Sequence, residues 1–324
     1  MVVTYHGDCV QFYLSENLRE WRYASEFGRG QGAHDALWEC PDLFALPVDG
    51  DPQRTKWVLH LSTNHPTALS DHPGLQYFIG DFDGSTFSND NPAATVLTPD
   101  YGRDNYAAVT WSDIPVADGR RLIIGWMNDW TYARGVPTDL WGGQMTIPRV
   151  LRLRQYGEEI RLIQTPVVEL ERLRAGHIHR EGTTIGPASS VWERSVSEAM
   201  EIIAVIAPGS ASEFGIRVHA GEGEQTTIGY DSSAGVLFVD RSRSGRTDFS
   251  PAFPGRYGGP LVPVGGLIAL RIFLDCSSVE VFGNEGEAVI SSLIFPESTT
   301  ASLECYAVGG DVRLTALDIY QLQL

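Results

Sequence analysis

Gln76-Tyr77-Phe78-Ile79-Gly80-Asp81-Phe82-Asp83-Gly84 is the stretch whose reading decides the fold. Its apolar and aromatic run is of strand length, and Asp83-Gly84 supplies the positive-φ positions that close a β-hairpin. The same grammar repeats on both sides. Val10-Gln11-Phe12-Tyr13-Leu14 alternates and then turns through Ser15–Leu18 into Trp21. Trp57-Val58-Leu59-His60-Leu61 follows the Pro47–Gly50 turn, and Tyr106–Trp111 and Arg121–Trp126 flank Asp118-Gly119. Short strands, Gly and aromatic punctuation, and no long helical period predict a sandwich or a β-propeller for residues 1–164.

The pattern then breaks. Thr165 to Gly176 reads as a helix and as a connector: Thr165 at the N-cap, Pro166 at the first helical position, early acids, Arg174 late and Gly176 at the end. From residue 177 to 324 the pattern is β again. Phe214, Ile216 and Val218 share one face, as do Ile268, Leu270, Ile272 and Leu274. Val312 and Leu314 change phase to Leu317 and Ile319, which predicts a bulge. These strands predict a β-sandwich over 177–324, and its acids and histidines read as scattered, with a structural role.

Composition bounds the function. The 324 residues can bury a sizeable core, and 43% hydrophobic content without an unbroken apolar run argues for a soluble globular chain. A formal charge of −17 disfavours nucleic acid and anionic membrane as partners and is indifferent to an uncharged sugar. Cys9, Cys40, Cys276 and Cys305 lack zinc-ligand spacing and define no disulfide framework. Met1-Val2-Val3-Thr4-Tyr5 has neither a basic segment nor an apolar core and is not a signal peptide. It reads as the middle of a strand.

Polar residues stand out in four places. Trp38-Glu39-Cys40-Pro41-Asp42-Leu43-Phe44 carries a carboxylate on a Pro-braced turn walled by an indole, suited to general-acid work or else an ordinary turn glutamate. Asp100-Tyr101-Gly102-Arg103-Asp104-Asn105-Tyr106-Ala107-Ala108 is a charged hairpin tip or a pocket wall. In Gly125-Trp126-Met127-Asn128-Asp129-Trp130, a continuing strand would align Trp126, Asn128 and Trp130 as a sugar-stacking face; the other reading is core tryptophans. Trp141-Gly142-Gly143-Gln144-Met145-Thr146-Ile147-Pro148-Arg149 is a Gly turn into a strand.

These segments, with Phe82-Asp83-Gly84 and Trp111-Ser112-Asp113, stand in the order seen in glycoside hydrolase family 32. The chain resembles that family's levanase, exo-inulinase and β-fructosidase branch. In the second half, Phe249-Ser250-Pro251-Ala252-Phe253, Asp275–Phe282 and Ala307–Val312 extend the resemblance. It implies an all-β protein with a five-bladed β-propeller followed by a C-terminal β-sandwich. It also implies retaining release of terminal β-fructofuranosyl units from fructan or sucrose. Glu39 matches the family's general acid/base, and Trp38, Asp104, Trp126, Asn128 and Trp130 are the candidate substrate-binding residues. No metal and no cofactor are implied.

Family members open with Trp-Met-Asn-Asp-Pro-Asn-Gly, whose Asp is the nucleophile, and later carry an Arg-Asp-Pro whose Asp stabilises the transition state. Residues 1–324 contain neither, because Trp126-Met127-Asn128-Asp129 is followed by Trp130 and Arg103-Asp104 by Asn105. The expectation is therefore an N-terminally truncated chain with an incomplete propeller, inactive alone. The alternative is a non-catalytic carbohydrate-binding or interaction remnant. The acidic composition leans toward a secreted or extracytoplasmic protein.

Overall fold

The computed structural model describes residues 1–64, 74–196, 199–220, 223–297 and 301–323. It is all-β, with helical turns only at Ala133–Gly135 and Val168–Leu173 among the described residues. Two compact units form. The first holds Met1–Asp100, Asn105–Trp130 and Gln144–Gln164; the second holds Tyr101–Asp104, Thr131–Gly143 and Thr165–Leu324.

The first unit is a series of antiparallel meanders. Val2–Tyr5, Cys9–Leu14 and Arg22–Phe27 pair in that order. Leu37–Val48, Asp51–Asn64, Gly74–Phe82 and Phe87–Asn89 form a four-stranded meander. Tyr106–Thr110, Arg121–Met127, Arg149–Tyr156 and Glu159–Pro166 form the next. Four-stranded meanders in succession are propeller blades. Gln76–Gly80 runs as read, and Asp83 closes its hairpin by accepting the Ser85 and Thr86 amides at 2.8 and 2.7 Å.

The strand Leu37–Val48 is covered on both faces, and one irregularity makes that possible. Glu39 pairs with Ser62 and Asp42 with His60, so three steps oppose two. This bulge shifts the side-chain phase. Trp38 before it and Leu43 after it pack with Leu59, Leu61 and Phe78, whereas Phe44, Leu46 and Val48 pack with Val58, Ile79, Ala108 and Ile123.

In the second unit two six-stranded sheets face each other. One runs Arg174–Ile185, Val312–Leu322, Met200–Ala207, Ile268–Asp275, Ser278–Gly283, Ala288–Leu293; the other Val191–Val196, Ala301–Val308, Glu213–Val218, Gln225–Asp231, Val236–Arg243, Arg256–Pro260. Their inner faces join in one core that includes Ile202, Ile272, Val281 and Ile319 with Phe214, Ile228, Val239 and Cys305. The predicted bulge in the last strand is present: Val205 pairs with Ala316 and Ile206 with Leu314, leaving Thr315 extra.

The helix expected over 165–176 is corrected to a six-residue 3-10 turn, Val168–Leu173. Thr165 and Pro166 end the preceding strand and Arg174 begins the next. Val167 at the cap is extended and makes no side-chain capping bond, so the N-cap assigned to Thr165 does not form. Arg174 is instead drawn into the sheet by the buried Glu201, which it meets at 2.7 and 2.9 Å, with Arg271 on the other side at 2.6 Å.

Asp104 lies in the second unit with no solvent exposure. Tyr101–Asp104 runs beside Ala288–Leu293: the Tyr101 amide donates to Val289 O at 2.8 Å and the Asp104 amide to Ser291 O at 3.2 Å. Gly102 is required for this approach, since a Cβ there would stand 2.1 Å from Ser291 O. The Asp104 carboxylate accepts from Arg241 Nη1, the Tyr132 hydroxyl and the Leu293 amide. Removing one partner of a buried ion pair strands the other, at a cost of about 3–5 kcal/mol. Asp104→Ala is therefore expected to lower unfolding free energy by about that amount in urea titrations; a loss below about 1 kcal/mol, the level of an exposed pair, would refute the assignment.

Candidate active site

Glu39 lies on a bulged strand, and not on the turn expected from Cys40-Pro41. Cys40, the residue after it, adopts φ +49°, a left-handed conformation costly for a residue with a Cβ. Trp38 points away from Glu39, by the two-residue period of the strand. Its indole is 1% exposed, donates from Nε1 to Ala33 O at 2.8 Å, and stacks on His34 at 4.7 Å. Expected to line the sugar, Trp38 is enclosed and supports the strand from behind. The space it fills depends on Gly28, at φ +125°, where a Cβ would fall 2.3 Å from the ring.

A second bulge faces the first. Tyr106 pairs with Trp126 and Val109 with Ile124, again three steps against two, and Ala107 there has φ +50°. The Tyr106 hydroxyl donates to Glu39 Oε2. The two bulges are stitched together on either side of that bond. Ser62, opposite Glu39, accepts the Ala107 amide at 3.1 Å, and Asp42 accepts the Thr110 amide at 2.7 Å. Burial, then the neighbouring Glu39 carboxylate, pushes the Tyr106 phenol well above its ordinary range, so it stays a neutral donor. Glu39 itself is half-buried, and its Oε1 makes no hydrogen bond among the described residues.

The aromatic surface forms differently from the expected strand face. The strand stops at Met127, and the Asn128 amide turns back to Trp126 O at 3.1 Å. Asn128 is 2% exposed and its side-chain oxygen accepts the Asp129 amide at 2.9 Å, which turns the amide group to a local structural task. Trp126 and Trp130 nevertheless meet, with ring centroids 4.8 Å apart, and Trp126 lies edge-on to Tyr106 at 6.4 Å. Trp130 is 51% exposed. Glu39, Tyr106, Trp126 and Trp130 thus form one chain of neighbours in the first unit, whereas Asp104 belongs to the second.

Two polar residues of the quoted motifs have structural work. Arg149 and Asp100 pair at 3.0 Å, each side chain 1% exposed, with Asn105 donating to the same carboxylate. Tyr106 lies within a quoted motif, and no strand period marks it as the partner of an acid 67 residues away. Two surface clefts of this unit, one around Leu46, Arg121 and Arg152 and one around Leu14, Asn17 and Trp21, include none of the candidate residues.

The first 166 residues match the model of the glycosyl hydrolases family 32 N-terminal domain, and residues 169–321 match the family 32 C-terminal model. The chain belongs to glycoside hydrolase family 32. Its fold is that family's, propeller blades followed by a β-sandwich. A levanase of Bacillus subtilis is 50% identical over 98% of this chain and 47% of its own length. An extracellular exo-inulinase of Aspergillus niger is 35% identical over 97% and 60%. The crystal structure of an exo-inulinase from Aspergillus awamori superposes with a TM-score of 0.88 at 32% identity, over 99% of this chain and 64% of that one. This chain therefore spans about half to two thirds of these relatives.

His60, opposite Asp42, is fully buried with both ring nitrogens unbonded among the described residues. Burial pushes its pKa down to about 4, against the pull of Asp42. The folded state thus holds His60 neutral while the unfolded chain takes up a proton below its ordinary value of 6.5. The stability this contributes is present above pH 6.5 and is lost as pH falls toward 4. Urea titrations across that window should show up to one proton's slope, about 1.4 kcal/mol per pH unit, that His60→Leu lacks. Equal slopes in the two proteins would disprove it.

Proposed function

We propose that this chain carries the acid/base half of a retaining β-fructofuranosidase site. Supporting it is the Glu39–Tyr106 pair, built on two facing bulges in a family whose members include levanases and exo-inulinases. Protonated Glu39 would give its proton to the leaving oxygen as the bond to the fructosyl anomeric carbon breaks. As carboxylate it would then take a proton from the water that attacks that carbon. Tyr106 holds one carboxylate oxygen in place, which leaves Oε1 for the proton transfers. Trp126 and Trp130 would stack the sugar's apolar face.

A retaining reaction also needs a nucleophile about 5 Å from the acid/base. The nucleophile and stabiliser segments that the family resemblance implies are not among residues 1–324. The chain is proposed to have no appreciable fructosidase activity alone, since the residues of a catalytic set act together. Sucrose, inulin and levan all remain in the substrate class, and the extracellular relatives favour an extracytoplasmic site of action. No helix among the described residues is long and apolar enough to cross a membrane.

Fructose release from levan, inulin and sucrose is the test, with the 324-residue chain alone and joined to the N-terminal segment of the B. subtilis levanase. The chain alone should release none. The joined protein should be active, and Glu39→Gln should lower its kcat by about 10²–10⁴-fold, the usual worth of a positioned acid/base. Activity of the chain alone, or unchanged activity in Glu39→Gln, would sink the assignment. Sugar binding without hydrolysis in every form would favour a carbohydrate-binding chain.

A further inference from the structure

The histidines and acids of the sandwich, read from sequence as scattered, are not all so. His177, His179 and Asp318 converge on one sheet surface, with one potential ligand atom from each lying within 4.8 Å of the others. The strand period puts His177 and His179 on one face of Arg174–Ile185, and the register places Asp318 directly across from His179. His177 Nε2 and His179 Nδ1 each stand 2.8 Å from the same oxygen, Asp318 Oδ1.

We propose that these three side chains form a divalent transition-metal site, with zinc as the ion of choice. Two imidazole nitrogens and a carboxylate oxygen are a donor set that zinc takes readily. Ligand atoms around a tetrahedral zinc at about 2.0–2.1 Å stand roughly 3.3 Å apart, so opening the present 2.8 Å contacts by about half an ångström admits the ion. Both rings are already oriented. His177 stacks on Tyr320, the residue opposite it, at 4.5 Å and 6°. His179 binds through Nδ1, which leaves Nε2 facing Glu181 Oε2 at 3.5 Å. A carboxylate on the distal nitrogen of a ligating histidine is the usual outer support of zinc sites. Asp318 and Glu181 together match the ion's two positive charges. Both histidines are exposed, which leaves the remaining coordination positions to water or a further ligand.

Calorimetric titration of Zn²⁺ into the 324-residue chain, in buffer free of chelators and with the thiols kept reduced, tests the site. One Zn²⁺ per chain is expected. His177→Ala and His179→Ala should each weaken binding at least tenfold, and the double variant should abolish it. Glu181→Gln should weaken it by about tenfold, the usual effect of losing an outer-shell carboxylate. Circular dichroism of the variants should match the parent, since these side chains project from the sheet. Replacement of Zn²⁺ by Co²⁺ should give a visible ligand-field spectrum that the double variant lacks. Absence of stoichiometric binding would overturn the proposal. So would undiminished binding by the double variant, which would place the ion elsewhere, for instance on the exposed thiols Cys40 and Cys276.

Discussion

The hydrogen bond from Tyr106 to Glu39 depends on two backbone segments that both break strand register at the same place. Each strand carries one extra residue, and each uses a non-glycine residue, Cys40 or Ala107, in a left-handed conformation. Such positions cost on the order of 1–3 kcal/mol each and persist only where their surroundings over-determine them. The surroundings here are specific. Ser62 and Asp42 take up the amides of Ala107 and Thr110, and the phase shift at Cys40 keeps apolar side chains buried on both faces of the strand. A regular strand from Leu37 to Val48 would send either Trp38 or Phe44 to the wrong face. The same extra residue therefore satisfies the two cores and presents the carboxylate.

Buried charge elsewhere in the chain serves structure. Asp104 with Arg241, Asp100 with Arg149, and Glu201 between Arg174 and Arg271 are enclosed pairs or clamps. Each is hydrogen-bonded on several sides, as desolvated charges must be. Glu39 differs in being half-buried and bonded by a neutral phenol, with no cation recorded against it among the described residues. Full enclosure against guanidinium groups marks the acids that lock the fold, and partial exposure beside a phenol sets Glu39 apart from them.

Strands and hairpins were legible because they rest on local rules. The Asp83-Gly84 turn, the alternation in Phe214–Val218 and the phase change after Leu314 all reappear in the structure. The helix over 165–176 failed for the same reason that those succeeded. Its caps and spacing obeyed local rules, but Glu201, some 27 residues on, draws Arg174 into a sheet. The site divides along the same line. Glu39 stands out in the sequence through its ordered company, and Trp126 and Trp130 through the two-residue period of an expected strand, which in the structure ends at Met127. Trp38 and Asn128, expected at the sugar, are buried, because burial depends on which face a bulge selects and where a strand stops. The His177–Asp318 cluster has no local signature because its two strands lie 141 residues apart, although His177-Ile178-His179 alone already places two imidazoles on one face.

Register is the common term in all of these cases. Side chains in a strand repeat every two residues, so a pattern read along one strand predicts faces until a bulge or strand end resets the count. At Cys40 and Ala107 the reset brings together a carboxylate and a phenol that lie 67 residues apart. At His177 and His179 no reset intervenes, and the regular pairing from Gly176 to Ile185 with the last strand is what sets Asp318 between two imidazoles. The Glu39–Tyr106 contact and the His177–His179–Asp318 cluster thus arise from opposite uses of one constraint: a broken register turns a side chain toward a partner from another meander, while a kept register accumulates polar side chains along one face.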